Sequence, residues 1–346
     1  MKRVGRLIGQ IADLDNLYLA FSKACKGKQR KQEVLSFREH FDENIASLRN
    51  EILSGNVQVG NYHYFTIHDP KERVICAAPF RERVLHHALM NVCHPYFDRS
   101  LIDSTHATRP GKGVYTAINQ AVAAATHYNY LLKLDFRKYY DSIDHAVLKQ
   151  MLEKKFKDSY LLRIFGQIID SYHADTGCGL PIGNLTSQYF ANLYLSALDH
   201  YAKEKVRTPI YIRYMDDILI AGNDKHELMA WKREIEKYAS ERLHLTLKPP
   251  VCNSSSTGVV FLGYRILPRR ILLSGRSKKR FRTKLVKYQL MLGKGIWNEQ
   301  QYAEHIMPLL SYTQHAESRT FRLACMEIAD SVSKIKGDNQ RVGLTA

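Results

Sequence analysis

Through the first 54 positions, apolar residues return at helical spacing. They do so around a polar loop at "KGKQRK" and along the amphipathic run "FREHFDENIASLRNEIL". The period then drops to two in "NYHYFTIHDPKERVICAAPF", which predicts two strands joined by a turn at Asp69-Pro70. "RERVLHHALMNVCHPYF" predicts a helix ending near Pro95, and "GVYTAINQAVAAATH" predicts another that leads into the strand "YLLKLDF". "SIDHAVLKQMLEKKF" reads as a helix with Ser142 or Asp141 as its N-cap. "LTSQYFANLYLSALDHYAKEK" is a further helix and runs up to the strand-like "YIRYMDDILIAG". An amphipathic helix, "KHELMAWKREIEKYASERL", precedes the short strands "HLTLK" and "VVFLGYRIL". The remaining chain reads as helices broken at Gly293-Lys294-Gly295. Hairpins mix with helices and strict βαβ alternation is missing, so the expected class is α+β.

One strand breaks its own pattern. Asp216 and Asp217 sit side by side in "YIRYMDDILIAG", where alternation would send one carboxylate into the core. A tight turn at Met215-Asp216-Asp217 resolves this by letting both project from one end. Asp135 closes the strand "YLLKLDF" 81 residues earlier. A strand end and a turn carrying three carboxylates suit a pair of divalent ions, and in-line phosphoryl transfer is the chemistry that needs such a clamp. Mg2+ matches oxygen donors of this kind.

Charge points the same way. The chain of 346 residues carries a net +17, which favours a polyanionic partner. No apolar run reaches spanning length, so nucleic acid is expected and a membrane is not. Six scattered cysteines without a CxxC pair read as reduced thiols. The start "MKRVGRLIGQIADLDN" lacks a signal-peptide pattern. A cytoplasmic protein is expected.

Asp135 in "LDFRKYYDSIDH", "LPIGNLTSQ" at 180–188 and "YMDD" at 214–217 resemble three successive motifs of reverse transcriptases. "KERVICAAPFRERVLHHAL" and "THATRPGKG" are similar to that family's finger motifs, and "LHLTLKP" and "FLGYRIL" to its later palm and primer-grip motifs. The resemblance spans roughly residues 55–290 in the family's order. It implies a right-hand polymerase: a helical extension at 1–54, fingers and palm at 55–264, and a basic helical thumb with a tail at 265–346.

The resemblance also assigns roles. Asp135, Asp216 and Asp217 would hold two Mg2+ ions, with the Phe136 carbonyl as a further ligand. Tyr140 would lie under the sugar and exclude a ribose 2′-OH. Lys71 and Arg73 would hold the triphosphate of a dNTP, and Lys248 would stand near the leaving pyrophosphate. Gly183 would let the backbone approach the nucleotide, and Gln188 would steady the pocket. Arg109 and Lys112 would touch phosphates of template or nucleotide. Each residue also has a plainer reading as turn former, cap, core aromatic or solvated charge; the ordered set is what carries the assignment.

Ile182 departs from the family. Most reverse transcriptases place glutamine there, whereas isoleucine is stiff and cannot hydrogen-bond. "IGNLTSQYFAN" and "LSGRSKKRFRTK" resemble the enzymes of diversity-generating retroelements, which copy an RNA template with frequent errors at adenines. Ile182 is expected to contribute to that infidelity, with a neutral packing exchange as the alternative. From Arg265 to Lys287 there are ten Lys or Arg and no Asp or Glu. Arg276, Lys278, Lys279, Arg280 and Arg282 would grip the template–primer duplex. The resemblance further implies a small, basic, pentameric accessory protein. The span after "FLGYRIL" suits a thumb but no RNase H or endonuclease domain. A retron or group II intron-type enzyme of ordinary fidelity and a non-catalytic RNA-binding maturase are the competing readings.

Overall fold

The computed structural model describes residues 3–68 and 72–328. The amino-terminal periodicity becomes α1 (Ile8–Ile11), α2 (Leu14–Cys25), α3 (Gln32–Glu39) and α4 (Phe41–Ser54). β1 (His63–Ile67) and β2 (Arg73–Ala77) form an antiparallel ribbon with Phe65 opposite Ile75 and Ile67 opposite Arg73. Then come α5 (Phe80–Asp98), α6 (Val114–His127), β3 (Tyr130–Leu134), α7 (His145–Lys155), α8 (Ser159–Asp170) and α9 (Leu185–His200). β4 (Ile210–Tyr214), β5 (Asp217–Gly222) and α10 (Lys225–Leu243) follow. The chain continues through β6 (Val251–Ser254), β7 (Val259–Phe261), β8 (Tyr264–Leu267), β9 (Arg270–Leu273), α11 (Gly275–Gly293) and α12 (Glu299–Gln314). Helices mixed with antiparallel strand pairs make this an α+β fold.

Two compact units interleave along the chain. The first comprises Met1–Gly113, Asp135–Asp216 and Met229–Pro249; the second comprises Val114–Leu134, Asp217–Leu228 and Pro250–Ala346. In the first, α2 lies along α5, and Phe97 of α5 packs its ring among Phe156, Phe165 and Phe190. In the second, β3 is flanked by β5 and β6, both antiparallel to it. β7, β8 and β9 form a separate sheet, and α6 packs against β5 and β8. Phe281 and Leu285 of α11 bury against Ile306 of α12 and Cys325.

Three expectations about elements need correction. α5 does not end near Pro95 but continues to Asp98. So near the helix end proline removes one backbone bond, while Phe97 gains a buried aromatic cluster. α7 is capped by Asp144, whose side chain accepts from Val147 N–H at 2.9 Å, not by Asp141 or Ser142. Ser142 belongs to a single 3-10 turn, Tyr140–Ser142, ahead of the helix. "HLTLK" is no strand; Leu247 makes one isolated bridge to Phe136, and the strand proper is β6, after Pro249-Pro250. A proline pair cannot supply ladder N–H groups. No helix among the described residues is long and apolar enough to cross a membrane.

Candidate active site

In the first unit, the chain leaving β3 is held by two backbone bonds. Lys248 N–H donates to the Asp135 carbonyl at 2.8 Å, and Arg137 N–H donates to the Thr246 carbonyl at 2.9 Å. These flank the Phe136–Leu247 bridge, so the Phe136 carbonyl lies outside the ladder bonds. The same register sets Lys248 beside Asp135, where its ammonium donates to Oδ2 at 2.6 Å. Both side chains keep partial contact with solvent.

Around Tyr140 several of the expected residues come together. Burial raises its phenol well above the ordinary value, the nearby Asp216 carboxylate adds to this, and Arg73 opposes it. Arg73 on β2 and Asp216 after β4 therefore both lie within electrostatic range of one half-buried ring. The "LPIG" loop is tied to the same place. Leu180 N–H donates to the Tyr140 carbonyl at 2.9 Å, and the Ile182 carbonyl accepts from Cys76 N–H of β2 at 2.8 Å. Gly183 follows with φ +128°, and a Cβ there would stand 2.9 Å from the Cys76 carbonyl oxygen. Only glycine suits that backbone and that space. Gln188 on α9 is exposed and accepts from the Thr108 hydroxyl at 3.4 Å.

The chain turns at Met215-Asp216, and Met215 holds φ +52°. The expected three-residue turn is one residue shorter, because Asp217 is already the first residue of β5. In the second unit, Lys133 of β3 places its ammonium 2.8 Å from Asp217 Oδ1. That oxygen is buried and has no aligned hydrogen bond, so the lysine supplies charge without a directed donor. Among the described residues no three His, Cys, Asp or Glu side chains stand together in ligating geometry. In kind, however, the donors fit a hard divalent cation: carboxylates, one of them with an oxygen lacking an aligned donor, and a carbonyl outside the ladder.

The remaining expected contacts divide into occupied and exposed. Arg109 is nearly buried and bonds internally. Its Nε donates to Asp98 Oδ1 at 2.7 Å, and Nη1 to the carbonyls of Ile102 at 2.7 Å and Thr105 at 3.0 Å. Lys112 donates to Asp103 Oδ1 at 2.6 Å. Lys71 lies outside the described residues. Arg276, Lys278, Lys279, Arg280 and Arg282 are exposed along the first turns of α11, which has no acidic residue in its first turn. Cations at a helix N-terminus oppose its dipole, so an anion bound there relieves both. Arg280 and Lys284 also line a cleft of about 180 Å³ with Tyr288, His305 and Tyr312.

The family model for reverse transcriptase (RNA-dependent DNA polymerase) matches residues 68–266, more than half of the 346 residues. The chain belongs to the reverse transcriptase family. This reverse transcriptase is 22% identical over 284 residues to the group II intron-encoded protein LtrA of Lactococcus lactis, covering 61% of this chain and 47% of that one. It is also 22% identical over 333 residues to the COX1/OXI3 intron 2 protein of Saccharomyces cerevisiae, covering 75% and 39%. It thus spans less than half the length of these curated relatives. A truncated apo telomerase from Candida tropicalis is similar over 68% of this chain and 60% of its own, at 15% identity and a TM-score of 0.48.

Sequence reasoning passed over Lys133, the partner of Asp217. Its signal was a lone charge inside the apolar run "YLLKLDF", a position that calls for a partner. It also passed over Arg213, a charge in the middle of an apolar strand. A buried charge of that kind requires a partner, and the partner proves to be Asp199, 14 residues away in sequence.

Proposed function

We propose that this reverse transcriptase is an RNA-directed DNA polymerase that extends a primer with dNTPs on a template RNA. The observation that carries the reading is the grouping at Tyr140. Arg73 of the β-ribbon and Asp216 of the "YMDD" turn lie within electrostatic range of its phenol, the "LPIG" loop donates to its carbonyl, and the family match runs through all of them. Asp135, Asp216 and Asp217 would hold two Mg2+ ions with the Phe136 carbonyl. Such ions activate the attacking oxygen and steady the leaving group. Lys248, which donates to Asp135 at 2.6 Å, would supply positive charge to a departing pyrophosphate. Tyr140 would exclude a ribose 2′-OH, and Arg73 would offer its guanidinium to the triphosphate.

The finer reading is an adenine-mutagenic enzyme of a diversity-generating retroelement, working with a small basic pentameric accessory protein. Its support is Ile182. The carbonyl of this residue accepts from Cys76 N–H, and in this reading its side chain, unlike the glutamine usual in the family, would offer no hydrogen bond with which to check the nucleotide. An ordinary-fidelity enzyme of the group II intron type is the second reading, favoured by the likeness to LtrA.

Primer extension on a defined RNA with Mg2+ and dNTPs tests all of this, with and without the accessory protein, followed by product sequencing. Parent product that disappears in Asp216→Ala and Asp217→Ala establishes the polymerase, and none from the parent sinks it. Errors concentrated at template adenines and reduced by Ile182→Gln support the retroelement reading. Faithful parent product favours the second reading.

A further inference from the structure

Arg213 is fully buried near the end of β4, where an unpaired guanidinium would be very costly. All five of its N–H donors are used. Nε donates to Asp199 Oδ1 at 2.7 Å, and Nη2 to Asp199 Oδ2 at 2.6 Å and the Asn192 carbonyl at 3.3 Å. Nη1 donates to Asn192 Oδ1 at 2.9 Å and to the Met215 carbonyl at 3.0 Å. Asp199 is equally occupied, accepting also from the Tyr211 hydroxyl at 2.7 Å and the Thr105 hydroxyl at 3.1 Å. The surroundings are pinned from a third side. Arg213 N–H donates to the Ser104 carbonyl and its own carbonyl accepts from His106 N–H, each at 2.9 Å. Arg109 in turn clamps the Thr105 carbonyl.

The bond to Met215 goes beyond what pairing with Asp199 requires. Met215 sits at φ +52°, a conformation that residues with a Cβ avoid unless the surroundings impose it. Its carbonyl belongs to the peptide unit that continues directly into Asp216. We propose that Arg213, held by Asp199 and Asn192, is a positioning residue. It locks the Met215–Asp216 peptide and so fixes where the Asp216 carboxylate points. Arg213 itself has no path to substrate or metal. Lysine cannot replace it, because one ammonium cannot fork between Asp199 and Met215. The proposal rests on the polymerase reading for its kinetic consequence, but not for its structural one.

Two variants test it. Arg213→Lys keeps the charge against Asp199 and loses the fork. Arg213→Met combined with Asp199→Leu replaces the pair by apolar side chains, an exchange that buried ion pairs often tolerate. Each is compared with the parent by thermal unfolding, template-RNA binding, kcat and dNTP KM, and hydrogen exchange of the peptide spanning 211–217. At temperatures where a variant is folded and binds RNA like the parent, kcat should fall about 10- to 100-fold. KM should stay within about twofold, and the 211–217 peptide should exchange faster. Should the double variant not fold, Arg213→Lys decides alone. Parent-like kcat in a folded variant overturns the proposal, as does a loss that only tracks the unfolded fraction. If the parent shows no polymerisation, the function proposed above fails, and exchange alone decides here: unchanged exchange rejects the lock.

Discussion

Gly183 shows how little room one position can have. Its φ of +128° and the 2.9 Å that a Cβ would leave to the Cys76 carbonyl make alanine unfavourable twice over. Gly183→Ala should cost on the order of 1–3 kcal/mol from backbone strain alone. Relief requires moving the Ile182 carbonyl away from Cys76, so dNTP KM should rise together with the loss of stability. Thermal unfolding and steady-state extension check this, and an unchanged KM in a destabilised protein would detach the loop from nucleotide binding. The glycine was legible in the sequence as a close-approach position. What it approaches was not, because Cys76 lies over 100 residues away in the chain. Asp135 was legible too, while its lysine partner depended on a register set by two backbone bonds.

Elements followed their local pattern wherever nothing distant overruled it. β1, β2 and the strand after α6 stand where alternation put them, while the turn expected at Asp69-Pro70 lies outside the described residues. α8 went unread although Leu161, Ile164, Phe165, Ile168 and Ile169 form a regular apolar stripe, all buried. α5 outran its proline because Phe97 is anchored in the core. That helix also carries a pH response. Burial, then the charges of Lys23, His86, Lys28 and Arg83, hold the His87 imidazole down at about 4 against an ordinary 6.5. Folding keeps it neutral, whereas the unfolded chain takes up a proton below about pH 6.5. Its contribution is therefore present above that pH and lost as pH falls towards about 4. Denaturant unfolding at pH 7 and pH 4.5 should differ by on the order of 2 kcal/mol more in the parent than in His87→Gln. Equal slopes in the two proteins would remove the assignment.

The chain carries +17, and α11 presents part of that charge without acidic relief. Replacing Arg276, Lys279 and Arg282 by glutamine should weaken template–primer binding. It should also flatten the dependence of log K on log salt by about 0.7–0.9 per lost phosphate contact. A weaker affinity with the parent's salt slope would mean that these cations act through the fold and not on phosphate. Motif order, charge and the α+β class were all readable from residue types, because each depends on neighbours in the chain or on totals. The three carboxylates, the glycine of the "LPIG" loop and the family itself belong to that category. Contacts over long sequence separations decided the rest. They set Lys248 on Asp135 across 113 residues, tied the Ile182 loop to β2, committed Arg109 to Asp98 and Thr105, and buried Arg213 against Asp199. Which cation faces which carboxylate depends on backbone register and burial, and those exist only once the chain has folded.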